Sequence, residues 1–125
     1  MKYLCLIYEE ESALNRLAKD EWAALRRETL DYVEAVESQG RLLRAEPLKS
    51  ATTALTLQVR GGKLSLSDGP FAETKEQIGG FFLIEAKDLN EAIQIASRWP
   101  SARLGTIEVR PVEQELREEG RYEPL

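Results

Sequence analysis

Two nearly continuous apolar runs, Tyr3-Leu4-Cys5-Leu6-Ile7-Tyr8 and Gly80-Phe81-Phe82-Leu83-Ile84-Glu85-Ala86, are each followed by a segment with one apolar stripe at helical spacing. Runs of this length, apolar on both sides of the two-residue strand repeat, read as strands buried on both faces, so both belong at the centre of a sheet. After the first run, Ser12 is placed to cap a short helical piece through Leu17, and Asp20 to cap a longer helix. On that helix Trp22, Leu25, Thr29, Tyr32/Val33 and Val36 recur in steps of three and four until Gly40 stops it. Packing is the expected role of Trp22 and Tyr32; the alternative is a ligand wall. After the second run, Asp88 caps a helix with the face Leu89, Ala92/Ile93, Ala96 and Trp99, and Pro100 closes it.

Between these halves the chain stays extended. Leu42 to Leu48 forms a strand whose Pro47 belongs at an edge or a bend. From Ala54 to Arg60, Leu55, Leu57 and Val59 alternate with Thr56, Gln58 and Arg60; Gly61-Gly62 signals a hairpin, and Leu64 and Leu66 continue the pattern on the return. Thr106 to Val112 alternates as a closing strand, and 113–125 form an acidic tail, either a short solvated helix or an arm. With the hairpin set aside, the order is strand, helix, strand, strand, helix, strand, the ferredoxin-like βαββαβ arrangement of an α+β protein. A single apolar stripe per helix puts both helices on one sheet face and leaves the other bare. A second copy covers it most simply, which predicts a homodimer closing into a dimeric α+β barrel.

The densest set of special residues lies between the hairpin and the second apolar run. In Ser67-Asp68-Gly69-Pro70-Phe71-Ala72-Glu73-Thr74-Lys75-Glu76-Gln77-Ile78-Gly79-Gly80, Gly69 reaches conformations closed to other residues and Pro70 fixes its own φ. Asp68 is suited to accept hydrogen bonds from the turn backbone, and Thr74 with Gln77 has the spacing of a capping box for one helical turn at Lys75. A shaped polar loop at a strand end is a candidate site. Its expected ligand-binding residues are Asp68, Gly69, Pro70, Phe71, Glu73, Lys75 and Arg110, with Asp68 as the candidate catalytic carboxylate.

Several function classes are excluded or disfavoured. The 125 residues, 42% hydrophobic and 31% charged, suit a single domain over 1–125. A net charge of −5 argues against nucleic acid as a partner, because phosphate binding is supplied by clustered Lys and Arg. No run approaches the ~20 apolar residues of a membrane span, so a cytoplasmic protein is expected. The sequence has no histidine, which removes the commonest general base and metal ligand, and neither a metal nor a cofactor is called for. Cys5 is the one cysteine and reads as a small buried core residue.

From Asp68-Gly69-Pro70-Phe71 through Gly79-Gly80-Phe81-Phe82-Leu83-Ile84-Glu85-Ala86, the chain resembles the DGPF-type branch of the YCII-related family. Ile107 to Val112 fits the closing strand of that family and Tyr3 to Tyr8 its opening one, so the resemblance spans nearly the whole chain. It implies a dimeric α+β barrel of ferredoxin-like subunits and, for some members, an enzymatic activity through a histidine and an aspartate in a cleft. Asp68 resembles that aspartate, but with no histidine in the sequence the pair cannot be carried over. The resemblance also implies an association with extracytoplasmic-function sigma factors. The expected function is therefore a small-ligand-binding or regulatory accessory module; the alternative is an enzyme using Asp68 in a dimer cleft.

Overall fold

The computed structural model describes residues 1–122. The chain runs through β1 (Lys2–Glu9), a short helix α1 (Glu11–Asn15), the long α2 (Lys19–Ser38) and β2 (Leu42–Pro47). A 3-10 turn at Ala51–Thr53 leads into β3 (Leu55–Arg60) and β4 (Lys63–Asp68). Then come β5 (Gln77–Glu85), α3 (Leu89–Ser97), a 3-10 segment at Pro100–Arg103 and β6 (Thr106–Pro111). Four strands form an antiparallel sheet in the order β2-β5-β1-β6, and β3 pairs with β4 as a separate hairpin. This is the ferredoxin-like α+β fold with an inserted hairpin.

The two apolar runs occupy the central strands, each with a neighbour on both sides; one face of each is buried under the helices and the other is half-buried. Cys5 stands opposite Phe82 on one side and Val109 on the other. Toward the helices, Tyr3, Cys5, Ile7, Phe82 and Ile84 meet Val36 of α2 and Ala92, Ile95 and Ala96 of α3 in one core. Trp99 closes that core, its ring stacked on Phe82 at 3.8 Å and edge-on to Tyr32 at 5.8 Å. The Tyr32 hydroxyl donates to the Ile95 carbonyl at 2.7 Å, so Tyr32 serves packing. Cys5 is fully buried, and loss of solvent pushes its thiol up to about 12.

The helix ends follow local chemistry, with two departures. The first is α1, which starts after Glu10 and ends at Asn15 with Ser12 inside it, donating to Glu10 at 3.0 Å instead of capping. Gly40, at φ +72°, ends α2: its N–H donates to the Glu37 carbonyl and that of Arg41 to Val36, the paired bonds of a Schellman turn. Asp88 caps α3 by accepting from Glu91 N–H at 2.9 Å. At the start of α2, however, the cap position is Ala18, and Asp20 lies inside the first turn. Glu21 reaches back to accept the Ala18 N–H at 2.9 Å, and Asp20 contributes charge at the positive end of the helix dipole.

No helical turn forms at Lys75. Gln77 opens β5, and its side-chain amide donates to the Ala72 and Thr74 carbonyls at 2.8 and 2.9 Å, so the Thr74–Gln77 spacing braces a loop. Residues 113–122 contain neither helix nor strand, so the short solvated helix does not form over them; positions 123–125 lie outside the described residues. Among the described residues no helix is long and apolar enough to cross a membrane.

Two apolar surfaces remain uncovered. The sheet face away from the helices carries Leu4, Leu6, Phe81 and Leu83, flanked by an Arg44–Glu46 ion pair on β2 and a Glu108–Arg110 pair on β6. On the hairpin, Leu57 faces Leu66 and Val59 faces Leu64, and with Leu55 these side chains are 55% to 62% exposed. A two-stranded hairpin with a bare apolar face is marginal on its own in water.

A carboxylate on the floor of a cavity

The strand repeat that buries Tyr3, Cys5 and Ile7 continues to Glu9, which therefore points to the helix side of the sheet. Room for its carboxylate comes from β5. Between the Ile7–Gly80 and Tyr8–Ile78 pairs the register slips, leaving Gly79 as the extra residue of a β-bulge. A Cβ built on Gly79 would lie 2.6 Å from Glu9 Oε2, so the carboxylate rests where any other residue would put a side chain.

Above Glu9, α2 meets the sheet chiefly through its C-terminal half: Val36 is its buried residue, whereas Trp22 is 49% exposed. The N-terminal half arches over a cavity of about 600 Å³ bounded by α1, α2, the ends of β1, β2 and β5, and the segment carrying Ser101 and Leu104. Leu14, Leu17, Trp22, Leu25, Val33 and Trp99 supply apolar and aromatic walls. A second hollow of about 400 Å³ adjoins it and shares Glu9, Leu14, Leu17, Trp22, Leu48 and Gly79. Arg103 clamps the Ser101 segment to α2 through two bonds to Glu28, at 2.8 and 2.7 Å, which hold the Glu28 carboxyl below its ordinary range.

Burial holds the Glu9 carboxyl above the ordinary carboxylate range; the nearby Glu11 charge adds to this and the Ser101 hydroxyl pulls the other way. Its neighbours are better supplied. Glu11 accepts the Ala51 N–H at 2.8 Å, which together with Ser50 keeps its carboxyl low. Glu10 accepts from Ser12 at 3.0 Å and faces Lys75 at 3.8 Å.

A raised carboxyl binds its proton more tightly in the folded protein than in the unfolded chain. Stability then falls as pH climbs from the ordinary carboxylate range through the raised value, and stays lowered above it. Glu9→Gln is accordingly expected to melt about 2 °C above the parent at neutral pH, a modest figure because solvent still reaches the group. Below the ordinary carboxylate range the two should melt alike. A neutral-pH melting point at or below the parent's would contradict this account.

The loop singled out in the sequence is built differently. Gly69 takes φ +94°, its N–H donates to Ala54 at 2.7 Å, and its carbonyl accepts from Thr56 at 2.8 Å. The turn is thus held by the Gly69 backbone, while the Asp68 carboxylate is exposed and makes no hydrogen bond among the described residues. Pro70 is half-buried, Glu73 is exposed and Phe71 is 82% exposed. Lys75 reaches the rim of the cavity through Glu10. Arg110 lies on the open sheet face, bound to Glu108, which also accepts from the Tyr8 hydroxyl at 3.4 Å. Of the seven candidate residues, Lys75 alone is brought beside the cavity.

Glu9 was legible by one signal. It is the next position on the inward face of a central strand, although the charge run Glu9-Glu10-Glu11 reads first as a solvated stop. Trp22, for which packing was the expected role, is half-exposed and lines the cavity. Among the described residues no three His, Cys, Asp or Glu side chains are grouped as metal ligands.

Fold and site together define a ferredoxin-like α+β domain with a ligand-sized cavity at the C-terminal end of its first strand. A family model for the YCII-related domain matches residues 1–116, and the chain belongs to that family. It is 36% identical over 114 residues to an uncharacterised protein of Rhizobium meliloti (strain 1021), covering 90% of this chain and 92% of that one. Among solved structures it is similar in fold to 5-chloro-2-hydroxyhydroquinone dehydrochlorinase (TftG) from Burkholderia phenoliruptrix AC1100 in complex with 2,5-dihydroxybenzoquinone. That match has a TM-score of 0.52 at 19% identity, over 92% of this chain and 96% of that one.

Proposed function

We propose that this protein binds a small organic molecule in the cavity above Glu9. The observation that carries the reading is a carboxylate turned inward at a glycine bulge, beneath apolar walls and with no cation paired to it among the described residues. Burying an ionisable group this way costs stability, and such groups collect where a ligand or a reaction uses them. The volume lies within the usual range for small-molecule sites, and the structural neighbour's complex with a dihydroxylated quinone supports a ring-sized ligand. If the molecule is turned over, Glu9 replaces Asp68 as the group able to take or give a proton, the raised carboxyl being the feature that favours this second form.

Ligand-observed NMR screening tests the reading with two variants. Thr29→Phe, which fills the cavity from α2, is expected to abolish the hits, and Asp68→Asn to keep them. Hits that survive Thr29→Phe and vanish in Asp68→Asn would return the site to the loop.

The proposal includes a homodimer in the cytoplasm. Its open sheet face pairs an apolar centre with edges that each carry both signs of charge, a pattern that can complement itself across a two-fold axis, and the hairpin offers a further apolar strip. Light scattering at micromolar concentration is expected to give the mass of two chains; the mass of one would defeat it. The accessory role beside an extracytoplasmic-function sigma factor belongs to the same proposal, with ligand occupancy as the event such a partner would read.

A further inference from the structure

We propose that the ligand of this cavity is a primary ammonium compound, an apolar or aromatic body ending in one protonated amine that is received by Glu9. The assignment rests on the cavity reading above and adds to it the charge and donor character of the ligand. Two carboxylates line the cavity, Glu9 and Glu10, and Glu10 is already engaged with Ser12 and Lys75; the Glu46 carboxylate lies on the opposite sheet face, paired with Arg44. Of the two, Glu9 turns inward with no cation paired to it among the described residues. Arg26 is the one basic residue among the described residues lining this cavity, and it is exposed; Lys19 and Lys49, also exposed, line the adjoining hollow.

Electrostatics then selects among ligands of one shape. An anion would meet Glu9 in a partly desolvated space where like charges repel strongly. A neutral alcohol can donate one hydrogen bond but leaves the negative charge uncompensated. An ammonium group neutralises it and donates three N–H bonds, of which the carboxylate oxygens and the Ser101 hydroxyl can each accept one. The remaining surface suits the other end of such a molecule: the Trp22 indole and the leucines around it take an apolar body, and an aromatic face near a cation adds to the attraction.

Three compounds of nearly equal size separate the possibilities: 2-phenylethylammonium, 2-phenylethanol and phenylacetate, titrated at neutral pH into the whole protein by ligand-observed NMR. The ammonium compound is expected to bind about tenfold or more tightly than the alcohol, with no binding of phenylacetate. Glu9→Gln, expected to fold at least as stably as the parent, should bring the affinities of the ammonium compound and the alcohol to within about twofold of each other. An alcohol that binds the parent as tightly as the ammonium compound, or a preference that persists in Glu9→Gln, overturns the ammonium assignment and leaves the cavity reading standing. Failure of all three to bind at millimolar concentration overturns the assignment together with the cavity reading beneath it.

Discussion

Gly105→Ala is expected to cost about 3 kcal/mol in urea denaturation, the upper range for forcing an extra carbon into a packed site. Gly105 joins the Pro100–Arg103 segment to β6, and its N–H donates to the Ser101 carbonyl at 2.9 Å. A Cβ there would fall well inside contact distance of the Tyr8 carbonyl oxygen and 3.2 Å from its carbon. Both are backbone of the central strand, so no side chain can swing away to relieve the clash. The start of β6 must lift off β1, beside Glu9, and the floor of the cavity shifts with it. Gly69→Ala provides the contrast: the residue has φ +94° but nothing within 4 Å of its Cβ position, so only backbone strain is paid, about 1 kcal/mol. Similar losses in the two variants would show that the chain crossing at Tyr8 is looser than described.

Trp99→Ala should be as damaging, at about 4 kcal/mol, by the mechanism of core truncation. The ring is 4% exposed and stacks on Phe82 with the two planes 3° apart, so its removal strips contacts from the centre of the core. It also frees the Tyr32 edge contact and opens the cavity wall toward the interior. Trp99→Phe keeps an aromatic face and is expected to recover roughly half of the loss. A loss below about 1 kcal/mol for the alanine variant would mean that α3 and the sheet can close over the gap.

What could be read from the residues depended on whether local pattern or long-range placement decided the matter. β1 and β5 could be recognised because an unbroken apolar run has no stable place at a sheet edge, and α3 because Asp88 and Pro100 bracket it. The α3 stripe was legible only in part, since Leu89 and Ile93 are exposed, Ile95 is buried with Ala92 and Ala96, and Trp99 lies past the helix end. Ala18 and Glu21 were missed at the start of α2 because Asp20 offers a stronger local signal two residues too late. The loop at Asp68 announced itself through Gly69 and Pro70, residues that shape backbone, and shaping backbone is what Gly69 does there. The cavity had no such marker. It arises from Trp22 on a helix, Gly79 at a bulge, Ser101 after another helix and Glu9 at a strand end, and only the sheet order brings these four together. The hairpin's strands were plain from alternation, but which surface its leucines would meet is absent from any local pattern.

The burial of Cys5 has a practical consequence for labelling. A thiol held at about 12 inside the central strand is protonated at neutral pH and shielded from solvent, so thiol reagents should pass over it in the native protein and modify it only after unfolding. Because the sequence contains no other cysteine, the wild-type chain can serve directly as the blank for site-specific chemistry. A cysteine introduced at the exposed Leu104, on the cavity rim, would then carry a fluorophore or spin label by itself and report occupancy without any prior removal of native thiols.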